Sequence, residues 1–270
     1  MPVRRIRIKA GLVGLLACGL VGSFTPQASA ATANSPWAYY GPVHGYSYKN
    51  RATVSTSPRI YAVTGIYNQS TGNVPSGYLG ALARLYRNQT LCTQTGYVYN
   101  TGSANGMDVV TTGSSCGRGA YYSYGVSKAY NGNGYNAYFT YESPHLSATQ
   151  AAVGPKEFQS TAASHRSPAE SAWPANGKGE TYGSGMDATS LKNEPDLIEA
   201  YATNGKVGYV KRVDLESEPN PSSPREALHV QERLAGQFRS VPVYDIDGNT
   251  KIGWFAVSHT SNAAAREFHP

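Results

Sequence analysis

The run Tyr121-Tyr-Ser-Tyr-Gly-Val126, followed by Asn131-Gly-Asn-Gly134 and then Tyr135-Asn-Ala-Tyr-Phe-Thr-Tyr141, decides the fold class of this 270-residue chain. Side chains alternate across an extended strand, so Tyr122, Tyr124 and Val126 share one face. Tyr135, Ala137, Phe139 and Tyr141 share one face of the next segment. The Asn-Gly pairs between them supply the positive φ values of a hairpin turn. Two antiparallel strands are expected, over 119–128 and 135–142.

Upstream, the same reading places strands at 59–67, 79–86, 96–100 and 107–111, separated by Gly, Asn and Ser clusters. Leu82, Leu85 and Tyr86 would also fit a helical stripe, and strand is the preferred reading there. Five or six such strands predict an antiparallel β-sandwich or barrel-like domain over 58–142. Residues 31–57 mix small polar residues with isolated aromatics and sustain no period, which predicts a poorly structured, extended N-terminal segment. Between 143 and 180 the prolines Pro144, Pro155, Pro168 and Pro174 punctuate a linker.

Residues 181–270 organise differently, as a small α+β domain. Glu194 to Tyr201 reads as a short helix, followed by Asn204-Gly205 and a strand from Val207 to Val210. Ser223 is a good N-cap with Pro224 at N1 and Glu226 at N3, predicting a helix to Leu234 or Ala235. Ala227, Val230, Leu234 and Phe238 lie near its apolar face. Segments 239–244 and 252–257 then flank Asp245-Ile-Asp247-Gly248-Asn249-Thr250 as a hairpin. The fold expected is mainly β.

The N-terminus reads as an export leader over residues 1–30. Arg4, Arg5, Arg7 and Lys9 precede a short apolar core from Ala10 to Val21 and an Ala28-Ser29-Ala30 cleavage site. The apolar run is too short for a membrane anchor of about 20 residues, and no later segment is apolar enough to span. Cys18 ends a lipobox-like Leu15-Leu16-Ala17-Cys18, which would carry a lipid anchor. Further apolar sequence and the Ala-x-Ala site follow it, so cleavage after Ala30 is preferred. The Arg4-Arg5 pair alone is weak support for twin-arginine export. A secreted, extracellular protein is the expectation.

That leader would leave Cys92 and Cys116, which can pair intramolecularly in one way only. In an oxidising compartment a structural disulfide is expected, worth roughly 3 kcal/mol on loop-entropy grounds. Charge divides the remainder. Residues 31–150 hold 17 of the 21 tyrosines and seven Lys and Arg against Asp108 and Glu142 alone, about +5. Residues 151–270 carry 12 basic and 15 acidic side chains, about −3. The formal +6 therefore falls to about +2 without the leader, which weakens the argument for a polyanionic partner.

Catalytic signatures are scarce. Asp245, Asp247 and Asn249 have the first spacings of a calcium loop, but Thr250 and Ala256 stand where glycine and glutamate are required, so a turn is expected and no metal. Ser184 lies between Gly183 and Gly185 with the wrong spacing for a nucleophile elbow. His44, His145, His165, His229, His259 and His269 form no ligand motif. Asp108 and Glu142 are the only carboxylates of the first half available for glycosidase-type chemistry, and both are more simply solvated. Asn68-Gln-Ser70 and Asn88-Gln-Thr90 match the N-glycosylation pattern. Nothing calls for a cofactor.

The tyrosines exceed what a core requires. Tyr121, Tyr122, Tyr124, Tyr130, Tyr135 and Tyr138 are the candidate binding surface, suited to stacking on sugars or to protein contacts. Exposed cross-strand pairs that merely stabilise the sheet are the competing explanation. Seven dispersed basic residues form no specific nucleic-acid signal.

The Tyr- and Gly-rich segment from Tyr121 to Tyr135, with Asn204 to Val210, Asp214-Leu215, Pro242 to Gly248 and Ile252 to Phe255, resembles uncharacterised secreted proteins of actinobacteria. The resemblance implies bacterial export, unused glycosylation sites, and no assigned activity or catalytic residue. The function expected is that of a secreted, non-enzymatic binding or cell-surface protein with a cell-wall, glycan or extracellular protein ligand. A secreted hydrolase with a site assembled between domains, or a structural or inhibitory protein, are the alternatives.

Overall fold

The computed structural model describes residues 32–113, 116–148, 173–259 and 265–268. The expected leader, most of the expected linker, His165 and His269 lie outside the described residues. The fold is mainly β, with several antiparallel sheets and a small C-terminal α+β region.

The chain opens with β1 (Thr32–Asn34), β2 (Ala38–Val43), β3 (Tyr46–Ser55) and β4 (Tyr61–Asn68). Then come β5 (Leu79–Leu82), β6 (Arg84–Arg87), β7 (Thr90–Thr95), β8 (Val98–Tyr99) and β9 (Gly106–Val110). Next are β10 (Gly119–Ser123), β11 (Val126–Tyr130), β12 (Tyr135–Phe139) and β13 (Leu146–Ala148). The C-terminal part holds β14 (Tyr182–Gly183), β15 (Leu197–Tyr201), β16 (Val207–Lys211), the short α1 (Arg212–Leu215) and α2 (Pro224–Leu234). It ends in β17 (Phe238–Tyr244), β18 (Lys251–Ser258) and β19 (Ala265–Phe268).

The expected poorly structured segment is instead regular over its described residues, 32–57. They contain β1, β2 and β3, and β3 lies inside a six-stranded sheet with β1, β2, β4, β9 and β19. Tyr48, Asn50, Ala52 and Val54 are buried in strict alternation along β3. The period is masked in sequence because Asn50 is polar. Its amide nitrogen donates to Ser127 Oγ at 2.7 Å and to the carbonyls of Tyr138 and Phe139 at 3.3 Å, so its N–H groups are paired inside. A four-stranded sheet, β12-β11-β5-β8, packs opposite, and Val43, Tyr48, Ile66, Leu79, Val98 and Met107 fill the space between them.

Strands β6, β7 and β10 continue into a nine-stranded sheet. The consecutive elements β5/β6, β7/β8 and β10/β11 each cross from one sheet to the other at a bend, at Ala83, Gly96-Tyr97 and Tyr124-Gly125. A Cβ on Gly125 would stand 1.8 Å from Thr64 Oγ1 and 2.8 Å from the Leu82 carbonyl. Glycine is what lets this corner press against β4. Gly125→Ala is therefore expected to destabilise by roughly 1–3 kcal/mol as an overpacked site, measured by urea denaturation.

Strand β7 pairs in parallel with β18 and, at Leu91 and Ala200, with β15, while β15, β16, β17 and β18 form an antiparallel meander. These five strands close on one another around Leu91, Ile198, Val210, Val243, Phe255 and Val257. The compositional boundary between the two halves thus interrupts neither the nine-stranded sheet nor its core. Glu194 to Tyr201 is not a helix: a 3-10 turn at Leu191–Asn193 precedes it, and Leu197–Tyr201 is a strand buried between neighbours.

Helix α2 starts as its sequence predicts, with Ser223 accepting from the Glu226 backbone N–H and Pro224 in the first turn. The Glu226 carboxylate, however, receives the N–H and hydroxyl of Ser222 rather than of Ser223. The buried face carries Ala227 and Gln231; Phe238 belongs to β17 and is 68% exposed. Gln231 accepts from the Tyr99 N–H at 2.5 Å and donates to its carbonyl at 3.2 Å, so the helix covers the edge strand β8 with a side-chain amide.

Candidate functional site

The candidate tyrosines separate into two groups. Tyr121 and Tyr122 are fully buried and Tyr124 nearly so, which removes them from the surface. Their hydroxyls are committed internally: Tyr121 donates to Gly117 O, Tyr122 to Met186 Sδ and Tyr124 to Ala188 O. Tyr121 packs with Val54, Leu85 and Cys92, while Tyr122 stacks on Tyr86. Strand β10 is covered on both faces, so alternation did not place one of them in solvent.

Tyr130, Tyr135 and Tyr138 are partly exposed but engaged with other rings. Tyr138 stacks on Tyr40 at 3.8 Å between centroids, and Tyr130 meets Tyr78 at 5.0 Å, Tyr135 at 5.6 Å and His44 at 5.2 Å. Tyr130 and Tyr135 donate to the carbonyls of Gly132 and Gly77. These contacts pin the loops at one end of the sandwich.

A second aromatic group lies on the outer face of the six-stranded sheet. Lys49 and Arg51 alternate with the buried residues of β3, and Tyr39 and Tyr67 sit beside Lys49 in cross-strand register. Trp37, just before β2, brings its ring within 4.5 Å of Lys49 Nζ and 4.4 Å of Arg51 Cζ. Both cations therefore share one ring. Tyr67 approaches Trp37 edge-on at 5.4 Å, and its hydroxyl donates to Asp108 Oδ1 at 2.5 Å. Burial, then the Asp108 charge, pushes the Tyr67 phenol well above its ordinary value.

Glycine keeps this face low. A Cβ on Gly65 or Gly106 would stand 2.7 or 2.4 Å from Tyr67 ring carbons, so the ring lies directly over both backbones. Tyr39 remains 66% exposed and Trp37 half-buried. The arrangement offers stacking area beside two held cations, with Asp108 already engaged. Tyr39, Lys49, Arg51 and Tyr67 were legible as the outward half of a period-2 pattern, had Asn50 been accepted as an inward residue.

Other candidates resolve into local structure. Cys92 and Cys116 form a disulfide with Cα atoms 6.0 Å apart. Asp247 accepts from the N–H groups of Asn249 and Thr250 and from the Thr250 hydroxyl, which hold its carboxyl down at about 2. Those bonds make the hairpin turn. Among the described residues no cluster of three or more His, Cys, Asp or Glu side chains is arranged to hold a metal. Ser184 caps a 3-10 turn and donates to Gln89 O. Glu142 pairs with His145, which stacks on Tyr122. Asn68 is buried with its amide bonded to Ser70 and Gly72 carbonyls, whereas Asn88 is exposed on a turn. No helix among the described residues is long and apolar enough to cross a membrane.

Comparison with known protein families, with curated proteins and with solved structures finds no match for this chain.

Proposed function

We propose that the protein is an exported, non-enzymatic binding protein whose contact surface is the outer face built by Trp37, Tyr39, Lys49, Arg51 and Tyr67. The observation that carries this reading is the convergence of Lys49 and Arg51 on the Trp37 ring, beside two further rings on an outward-facing sheet. A core requirement does not explain rings on this side of the sheet. The ligand class is an anionic glycan of a cell surface: rings stack on the apolar face of a sugar, and the cations meet its carboxylate or phosphate groups. The leader sequence and the resemblance to secreted actinobacterial proteins support export, and the Cys92–Cys116 disulfide fits an oxidising compartment.

Retention on immobilised acidic and neutral polysaccharides tests the reading. Retention on the acidic matrix is expected to weaken with salt, as exposed charges are screened, and to be lost in Trp37→Ala. Equal retention on both matrices, or an unaffected Trp37→Ala variant, would contradict it. N-terminal sequencing of protein from culture medium is expected to begin at Ala31; a lipidated Cys18 in a detergent-dependent fraction would overturn the choice of cleavage site.

A further inference from the structure

Lys128 lies in β11 at 7% exposure, an unusual place for an ammonium. Gly80, paired with it on β5, lets the Tyr99 ring close over the strand. A Cβ there would stand 2.7 Å from Tyr99 Cε1 and 3.3 Å from Lys128 Cβ. The amine sits 3.7 Å from the centroid of the Tyr97 ring and donates to Asn220 Oδ1 at 3.3 Å. Among the described residues no carboxylate forms an ion pair with it. A buried ammonium is ordinarily matched by an opposite charge, whereas this one meets a neutral carboxamide.

Asn220 stands between Pro219 and Pro221 in the loop that joins α1 to α2, so its backbone is confined to extended conformations. Pro221 has no N–H, which closes the usual attack of the next backbone nitrogen on the asparagine side chain. The carboxamide is exposed and can turn its carbon toward the Lys128 amine. The charges that act on Lys128 are the carboxylates of Glu218 and Glu216. Burial nevertheless draws its ammonium down to about 8, and it pushes the neighbouring Tyr97 and Tyr99 phenols upward, so they stay protonated. Arg84 and Glu194, which act on Tyr97, pair with each other. Glu218 is committed, with Oε1 3.5 Å from Arg239 and 3.2 Å from His259. Glu216 is held only loosely, 4.0 Å from Arg212, and partial burial raises its carboxyl above the ordinary value.

We propose that Lys128 and Asn220 become joined by an intramolecular isopeptide bond, with Glu216 carrying the proton. The neutral Lys128 Nζ attacks Asn220 Cγ and forms the new C–N bond, and the Cγ–Nδ2 bond breaks. The proton that Nζ gives up passes through the Glu216 carboxylate to Nδ2, which leaves as ammonia. Near neutral pH most of the amine is protonated, so linkage is slow and the newly folded chain still carries a titrating Lys128. The bond ties β11 to the α1–α2 loop across 92 residues. It restricts the unfolded chain as a disulfide does, without depending on an oxidising compartment.

The test is intact-mass spectrometry of the purified protein held at pH 7 and at pH 9, followed by tryptic mapping. A species lighter by one ammonia is expected to accumulate from whatever fraction is present at purification, about tenfold faster at pH 9, where the amine is mostly neutral. Mapping should give one branched peptide that joins the two residues and is uncut after Lys128. Asn220→Ala, at an exposed position, is expected to abolish the ammonia loss, and Glu216→Gln to slow it by about tenfold or more. The mass of the unlinked chain persisting after prolonged incubation at pH 9, ammonia loss that maps elsewhere, or the same loss in Asn220→Ala would overturn the proposal. Loss at the wild-type rate in Glu216→Gln would overturn the role given to Glu216. None of these outcomes bears on the aromatic face.

Discussion

Glu194→Ala is expected to lower stability by about 3–5 kcal/mol, because it leaves the Arg84 guanidinium charged and unpaired in the interior. The Arg84 and Glu194 side chains are 3% and 0% exposed and form a direct ion pair. Arg84 Nε also donates to Gln94 Oε1 at 2.8 Å, across the β6–β7 ladder. Glu194 precedes β15, so the pair ties that strand to β6 through the side chains alone. Replacing Arg84 with Met and Glu194 with Leu together should cost far less than either single change, since a buried pair is close to neutral against an apolar pair of similar size. Urea denaturation of the four proteins closes the cycle. Additive single effects would show that the two charges do not depend on each other.

Alkaline unfolding is the second large effect. Burial pushes the phenols of Tyr48, Tyr86, Tyr99, Tyr122 and Tyr124 upward, with Tyr86 reaching about 12. Above pH 10 the unfolded chain releases these protons and the folded chain holds them. Stability therefore falls as pH rises, by about 1.4 kcal/mol per pH unit for each such group. Lys128 acts in the opposite direction. Burial draws its ammonium down to about 8, opposed by Glu218 and Glu216, from an ordinary 10.5. Between those values the unfolded chain binds more protons, so the Lys128 contribution rises with pH until about 10.5. A urea midpoint that rises from about pH 8 to about 9.5 is expected, then a steep decline accompanied by cooperative appearance of tyrosinate absorbance. Gradual tyrosinate formation near pH 10 without unfolding would show that these rings are not held inside the core.

The legible parts of the fold were those in which local chemistry and tertiary packing agree. The hairpin around Asn131 to Gly134, the α2 N-terminus at Ser223-Pro224 and the β17–β18 hairpin belong here. Three readings were not available locally. Strand β7 is buried along its length, so it shows no alternation, and its turn uses Asn88 and Gln89 at positive φ in place of glycine. Strand β15 carries a helix-like composition but is claimed by pairing with β16 and β14. Tyr121 and Tyr122 point to opposite faces of β10, and both are buried because layers cover each side. Tyrosine count alone could not distinguish such a strand from one with an open face.

The same limit governed the candidate site. Its residues lay in the segment with the weakest apparent period, where Asn50 stands at an inward position. Once that amide is paired with Ser127, the neighbouring Lys49 and Arg51 become outward residues of a defined strand.

Binding of an acidic polysaccharide to the wild-type protein and to the double variant Lys49→Glu, Arg51→Glu, measured over a range of salt concentrations, tests this face most directly. The variant is predicted to bind about tenfold or more weakly and to lose most of the salt dependence, while its urea midpoint changes little. Wild-type affinity and an unchanged salt dependence in the variant would contradict the assignment of the contact surface.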